Sequence, residues 1–246
     1  MSSNSETPSL CVIDVLNDPR HAFSQVFENF LAAESLRLPY HFYNGRDLQT
    51  DYGPILQQPP PGILISGSLD SVYERQDWML RLEDFIRAAH AAEVPIFGVC
   101  FGHQILASAL GGQVESMGSW EFGPQPLYLQ GTHPYLQGFA SGDPVVQVHQ
   151  DHVAVLPPGA VSLALSENTP HQIFVLGQSF GVQFHPEYTV EMLQAIIENR
   201  GERIVRKGPF RSLEHLQALA THWQLPRSAR RILRNFFAQR GLLGAP

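Results

Sequence analysis

Ile96-Phe97-Gly98-Val99-Cys100-Phe101-Gly102-His103-Gln104 sets a cysteine between two glycines, directly after an apolar strand-like run and directly before a helix-like stretch from Gln104 to Leu110. This is the layout of a nucleophile elbow, a sharp strand-to-helix turn that pushes one side chain out at the carboxyl end of a sheet. Gly98 and Gly102 leave room for the crowded backbone. Cys100 then lies at a helix N-terminus, where unpaired N–H groups and the helix dipole favour the thiolate, the nucleophilic form. An inert core cysteine is the alternative, but it leaves the flanking pattern without a reason.

Upstream of the elbow, Leu10 to Val15 reads as a buried strand and Ala22 to Leu36 as a helix with Phe23, Val26, Phe27 and Phe30 on one face. Tyr40 to Tyr43 and Gly62 to Ser66 read as strands, Asp77 to Ala92 as a helix, and Val94 to Val99 as the strand feeding Cys100. This alternation predicts an α/β fold: an open, doubly wound, mostly parallel sheet with helices on both faces. Gln57 to Gly62, with three prolines, reads as a loop within it. From Gln113 to Gln183 the pattern shortens to Pro126–Gln130, Val145–His149, Val161–Leu165 and Gln172–Leu176, an antiparallel elaboration.

Thr189 is placed to cap a helix through about Arg203. Ser212 would cap a second carrying Leu213, Leu216, Leu219 and Trp223, and a third carries Ile232, Leu233, Phe236 and Phe237. Such stripes are core-packing faces. The expectation is a single domain over residues 1–246, with a core at about 10–190 and a C-terminal helical extension at about 190–240.

Composition excludes several classes. Two cysteines, Cys11 and Cys100, cannot build a disulfide framework or a cysteine-rich metal site, and they suit a reducing compartment. The N-terminus has no basic start followed by an apolar core, so a cytoplasmic protein without a membrane segment is expected. Charge is divided: residues 1–199 hold 6 Lys or Arg against 21 Asp or Glu, and residues 200–246 hold 10 against 2. A basic end can contact nucleic acid, but no aromatic-interleaved motif or finger-type spacing accompanies it, so docking on the acidic body is the reading preferred.

A cysteine nucleophile needs a base, and the base needs an orienting group. Gly181-Val-Gln-Phe-His-Pro-Glu-Tyr offers both: with Val182 to Phe184 as a strand, His185 and Glu187 lean to one side at its end. Donors for a developing oxyanion are the N–H of Phe101 and the loop Ser66-Gly67-Ser68-Leu69. His149-Gln-Asp-His152 invites a metal reading, but in a strand its two histidines face opposite ways and no further ligand cluster accompanies them. No metal and no cofactor is called for.

The chain resembles a class I (triad) glutamine amidotransferase domain. The resemblance rests on GVCFGHQ with Cys100, on HPE with His185 and Glu187, and on GILISGSLDSVYE from Gly62, which is similar to the oxyanion loop of GMP synthetase's amidotransferase half. Trp120-Glu-Phe-Gly and His149-Gln-Asp-His also fall where the family has similar segments, and the match covers about residues 10 to 190. It implies that Cys100 attacks the side-chain amide of glutamine, that His185 protonates departing ammonia and then activates water, and that Glu187 orients His185. It also implies that Gly67, Ser68, Phe101 and Gln104 surround the substrate and its oxyanion.

Ser68 and Leu69 stand where GMP synthetase has a second glycine and a proline, and nothing resembling an ATP-pyrophosphatase domain follows in the last 55 or so residues. The chain is thus expected to be a stand-alone, GMP-synthase-like member, among which the plant γ-glutamyl peptidases have a similar GS, CFGHQ and HQDH pattern. Its substrate would be glutamine or a γ-glutamyl compound, with or without a synthetase partner that receives ammonia. Two other readings compete with this one. A binding or regulatory protein on the same fold is disfavoured by the intact Cys, His and Glu set. A carboxyl-ester hydrolase is disfavoured because those folds place the acid before the histidine.

Overall fold

The computed structural model describes residues 8–18, 22–224 and 227–243. The elements follow in the order β1 (Leu10–Asp14), α1 (Phe23–Ala33), β2 (Tyr40–Asn44), α2 (Gly53–Gln57), β3 (Ile63–Ile65), α3 (Asp77–Ala91), β4 (Ile96–Val99) and α4 (Phe101–Ala109). Then come β5 (Gln113–Pro126), β6 (Tyr128–Leu129), β7 (Pro144–Val155), β8 (Val161–Leu165), β9 (Ile173–Leu176), β10 (Ser179–Val182), α5 (Val190–Lys207), α6 (Leu213–Ala220) and α7 (Ser228–Gln239). One sheet runs β2-β1-β3-β4-β10-β9-β8-β6, parallel from β2 to β10 and antiparallel beyond it.

The strand period of two explains why both faces are covered. Leu10 and Val12 of β1 point into a layer with α1 and α7, while Cys11 and Ile13 point into a layer with α3 and α4. β3 divides likewise, Leu64 to the first layer and Ile63 and Ile65 to the second. The mostly parallel, doubly wound sheet with helices on both faces is as the sequence predicts.

Three parts differ from the sequence reading. The elaboration is no run of short pieces: β5 and β7 form a separate antiparallel ribbon, paired from Gln113 with Val155 to Pro126 with Pro144 and interrupted between Ser116 and Glu121. Pro126 ends β5 and only Tyr128–Leu129 joins the main sheet. Strand β10 stops at Val182, so Gln183 and Phe184 lie beyond it. A short helix, α2, precedes the proline loop with Pro54 in its first turn, where a missing N–H costs nothing.

The C-terminal helices do two different jobs. α5 and α6 pack on the ribbon through Leu193, Ile197, Ile204 and Leu216 against Phe122 and Val146. α7 instead completes one face of the main sheet, with Ile232, Leu233, Phe236 and Phe237 buried in the central core. A Cβ on Gly62 would stand 2.7 Å from Phe236 Cζ, so the chain entering β3 must be glycine for α7 to seat. Arg230 pairs with Glu34 at 3.0 Å and Arg200 with Asp18 at 2.8 Å, setting basic side chains of the tail on acidic ones of the body. Among the described residues, no helix is long and apolar enough to cross a membrane.

Candidate active site

Cys100 sits between β4 and α4 with φ 51° and ψ −103°, a conformation that side-chain-bearing residues rarely adopt. Its flanks are held by close backbone approach. A Cβ on Gly98 would lie 2.4 Å from Gly102 O, and one on Gly102 would lie 2.4 Å from Ile65 O. The Cys100 N–H donates to Val182 O at 2.8 Å, tying the elbow to β10. Cys100 is buried, at 6% exposure, and lines a cavity rather than lying open. Cys11 is also buried, in β1, and burial pushes its thiol far up.

His185 and Glu187 lie in the turn after β10, not on a strand end, and meet there: Nδ1 of His185 is 2.8 Å from Glu187 Oε1. Burial works against the imidazolium, but the Glu187 carboxylate and Cys100 outweigh it and hold the His185 pKa up at about 10. The ring stacks on Tyr188, with centroids 4.0 Å apart and planes 16° from parallel. A Cβ on Gly67 would stand 3.1 Å from His185 Cε1 and 3.7 Å from Cys100 Cβ, so the loop after β3 closes directly over the pair.

That loop is anchored on both sides. Ser66 Oγ accepts from the Val15 N–H at 2.9 Å, Ser68 Oγ donates to Asp70 Oδ2 at 3.0 Å, and Asp70 forms an ion pair with Arg46. Ser71 and Tyr73 both donate to the Asp151 carboxylate, clipping the loop to β7. Phe101 opens α4, where the first N–H groups have no partner within the helix. The Gln104 side-chain NH₂ is committed to Asp151 O at 2.8 Å and Gln183 Oε1 at 3.1 Å, so toward a ligand it has only its carbonyl oxygen to offer.

Several residues of the site were not singled out from the sequence. Gln183 Nε2 donates to Cys100 Sγ at 3.6 Å. Its place two residues before His185 was the available signal. Tyr188, Asp18, Arg200 and Arg203 also line the cavity; Arg200 and Arg203 come from α5, Tyr188 from the turn before it and Asp18 from the segment after β1. His149, buried in β7, presents Nδ1 to Asp151 O at 3.1 Å and Nε2 to Glu121 Oε2 at 3.1 Å. Glu121 accepts in addition from Ser166, Thr169 and Gln172, and although burial opposes its charge, these bonds and His149 hold its carboxyl below the usual range. His149 is buried and His152 half-buried on the same strand; among the described residues no group of three or more His, Cys, Asp and Glu is placed to hold a metal. His103, on the far side of α4, is a neutral imidazole that burial holds down at about 3.

The cavity over Cys100 measures about 230 Å³. Gly67, Ser68, Gln104, His149 and His185 border it on one side and α5 borders it on the other.

The family model for "Glutamine amidotransferase class-I" matches residues 25–203. The chain belongs to that family. Among curated amidotransferase relatives, it is 33% identical over 153 residues to "GMP synthase [glutamine-hydrolyzing]" of Thermomicrobium roseum, covering 60% of this chain and 27% of that protein. It is 32% identical over 184 residues to "Gamma-glutamyl-L-1-hydroxyisopropylamide hydrolase" of a Pseudomonas species, covering 69% of this chain and 62% of that one. The amidotransferase chain therefore spans about a quarter of the first relative's length and under two thirds of the second's. The fold matches a glutamine amidotransferase from Thermotoga maritima with TM-score 0.72 at 18% identity, over 96% of this chain and 99% of that one. A second, from Methylobacillus flagellatus, matches with TM-score 0.70 at 22% identity, over 98% of each chain.

Proposed function

We propose that the chain hydrolyses a γ-glutamyl amide, in the first instance the side-chain amide of glutamine, through a thioester on Cys100. The Cys100 thiolate attacks the amide carbonyl carbon. The C–N bond breaks as His185 gives its proton to the leaving nitrogen, and ammonia departs from a γ-glutamyl thioester. Water then attacks the thioester with His185 as base, the C–S bond breaks, and glutamate leaves as the thiolate and imidazolium re-form. Glu187 keeps the ring oriented. The Phe101 N–H and the backbone at Gly67 and Ser68 face the developing oxyanion, and the Gln104 carbonyl oxygen is left to accept from the substrate.

The observation that carries this reading is a thiol on a strained elbow at a helix N-terminus, beside an imidazole whose other nitrogen is 2.8 Å from a carboxylate. A cavity of about 230 Å³ falls below the roughly 300–1,000 Å³ of drug-sized pockets and suits a group the size of an amino acid. The likeness to a glutamine-hydrolysing synthase supports a second setting, in which ammonia passes to a synthetase partner. Two free thiols suit a reducing cytoplasm. The test is release of glutamate and ammonia from glutamine by purified protein, with peptide mapping for a γ-glutamyl adduct on Cys100. Product that persists in Cys100→Ala, or the absence of both product and adduct in the wild type, overturns the reading.

A further inference from the structure

The loop that begins at Gly67 and Ser68 is anchored by two sets of bonds. One set comes from the segments that follow β1 and β2: Ser66 Oγ accepts from the Val15 N–H at 2.9 Å, Asn17 Oδ1 accepts from the Leu69 N–H at 3.3 Å, and Arg46 pairs with Asp70. The other set ends on Asp151 of β7, a buried residue that also borders the cavity. Its Oδ2 accepts from Ser71 Oγ at 2.5 Å and its Oδ1 from the Tyr73 hydroxyl at 3.0 Å, so both carboxylate oxygens are committed to the loop. The chain between those donors is braced as well. Ser71 opens a short 3-10 turn over Val72–Glu74, and Glu74 Oε1 accepts from the Ser71 N–H at 3.1 Å.

The backbone of the same residue holds a different part of the site. Asp151 O accepts from Gln104 Nε2 at 2.8 Å. His149 Nδ1 lies 3.1 Å from the same oxygen, and since a carbonyl can only accept, the ring donates to it. Glu121 Oε2 stands 3.1 Å from the other nitrogen of that ring, which fixes it from behind. The ladder between β5 and β7 is broken here, pairing Glu121 with His149 and Ser116 with Asp151 and shifting register between them. Such irregularities re-aim side chains beside active sites. The two attachments of Asp151 are separable: a change of side chain frees the loop, while the carbonyl stays on Gln104.

Resting on the hydrolase reading above, we infer that Asp151 is a positioning residue, whose carboxylate sets the Gly67–Ser68 backbone over Cys100 by way of Ser71 and Tyr73. With its oxygens already committed, it acts through the loop and not on the substrate. The tolerance is small: a Cβ on Gly67 would stand 3.7 Å from Cys100 Cβ and 3.1 Å from His185 Cε1. A slight drift of the loop therefore moves its donors off the reacting carbonyl, and misplacement on that scale is costly. Donors to a developing oxyanion bind the transition state more strongly than the ground state, so their loss falls on kcat. Gln104 keeps its partner on the Asp151 backbone, so KM is spared.

The experiment compares two reactions of Cys100 in the full chain: hydrolysis of glutamine, read as kcat and KM, and alkylation by iodoacetamide, which displaces iodide at a saturated carbon and needs no oxyanion donors. Asp151→Ala should lower kcat by roughly tenfold or more, with KM and the alkylation rate each within about twofold of the wild type. Asp151→Asn keeps one acceptor oxygen and should retain part of the activity. Tyr73 is exposed, so Tyr73→Phe removes one bond from the rim of a folded protein and should lower kcat by about threefold or more. Tyr73 also meets Ser116, so the double variant isolates the Asp151 bond: it should be no slower than Asp151→Ala alone. A kcat unmoved in Tyr73→Phe and Asp151→Asn, losses that multiply in the double variant, or alkylation that falls in step with hydrolysis each overturn the inference while leaving the Cys100 chemistry standing. A wild type that hydrolyses no glutamine and forms no thioester overturns the hydrolase reading and this inference together.

Discussion

Gln183 Nε2 donates to Cys100 Sγ at 3.6 Å while its Oε1 accepts from Gln104 at 3.1 Å, so the amide is held in one orientation with its donor end on the sulfur. A donor on the sulfur holds the nucleophile in place. Gln183→Leu should slow alkylation of Cys100 by iodoacetamide at neutral pH by about tenfold, or ~1.4 kcal/mol, at the low end for a hydrogen bond to a charged group because the contact is long. An unchanged rate in folded protein would show that the contact does not tune the thiol. Only Cys100 should label, since burial in β1 pushes the Cys11 thiol up.

Glu187 and Cys100 hold the His185 pKa up at about 10, against about 6.5 for an unperturbed histidine. The folded state thus binds the proton more tightly than the unfolded state. The stabilisation is full below about pH 6.5 and is lost as pH rises through about 10. Urea unfolding of the wild type and Glu187→Gln should therefore show a stability gap that narrows from pH 6.5 to 10. A gap that widens over that range contradicts the assignment. In activity, Glu187→Gln should retain on the order of tenfold more than Cys100→Ala or His185→Ala, because it orients rather than reacts.

Two glycines should respond in opposite ways to alanine. At Gly67 the new Cβ meets an imidazole edge at 3.1 Å, which can yield by a few tenths of an ångström. Gly67→Ala should keep its melting temperature and lose roughly tenfold or more in kcat, since small misplacements of reacting groups are costly. At Gly98 the new Cβ meets Gly102 O at 2.4 Å, and neither backbone can retreat. Gly98→Ala should lower stability by about 1–3 kcal/mol or more. Thermal melts of the two variants beside their rates decide both.

Removing α7 should unfold the protein rather than trim it. Ile232, Leu233, Phe236 and Phe237 are all at most 1% exposed. At roughly 1.5–3 kcal/mol each, their burial rivals the about 5–15 kcal/mol net stability of a whole domain. The Arg230–Glu34 pair adds little beside that. Residues 1–226 alone should express as aggregate or lack a cooperative melt. A truncated chain as stable as the full one would remove α7 from the core.

Local pattern was enough for the parallel half of the fold. Strand period, helical stripes and the glycines around Cys100 are properties of neighbouring residues, and so were readable before any contact was known. The same holds for His185 and Glu187, which lie too close in sequence to be carried far apart. What required the tertiary structure was everything that depends on distant segments meeting. The β5–β7 ribbon pairs Gln113 with Val155 across a long connection, and its register is set by the partner strand rather than by either stretch alone. Gln183 reaches the thiol because β10 pairs with β4, and Asp151 reaches Ser71 because β7 crosses the loop after β3. The sequence predicted that the last helix was apolar on one face but not which surface would cover it. That was decided by which face of the sheet remained open beside α1, and by the gap a glycine leaves at position 62.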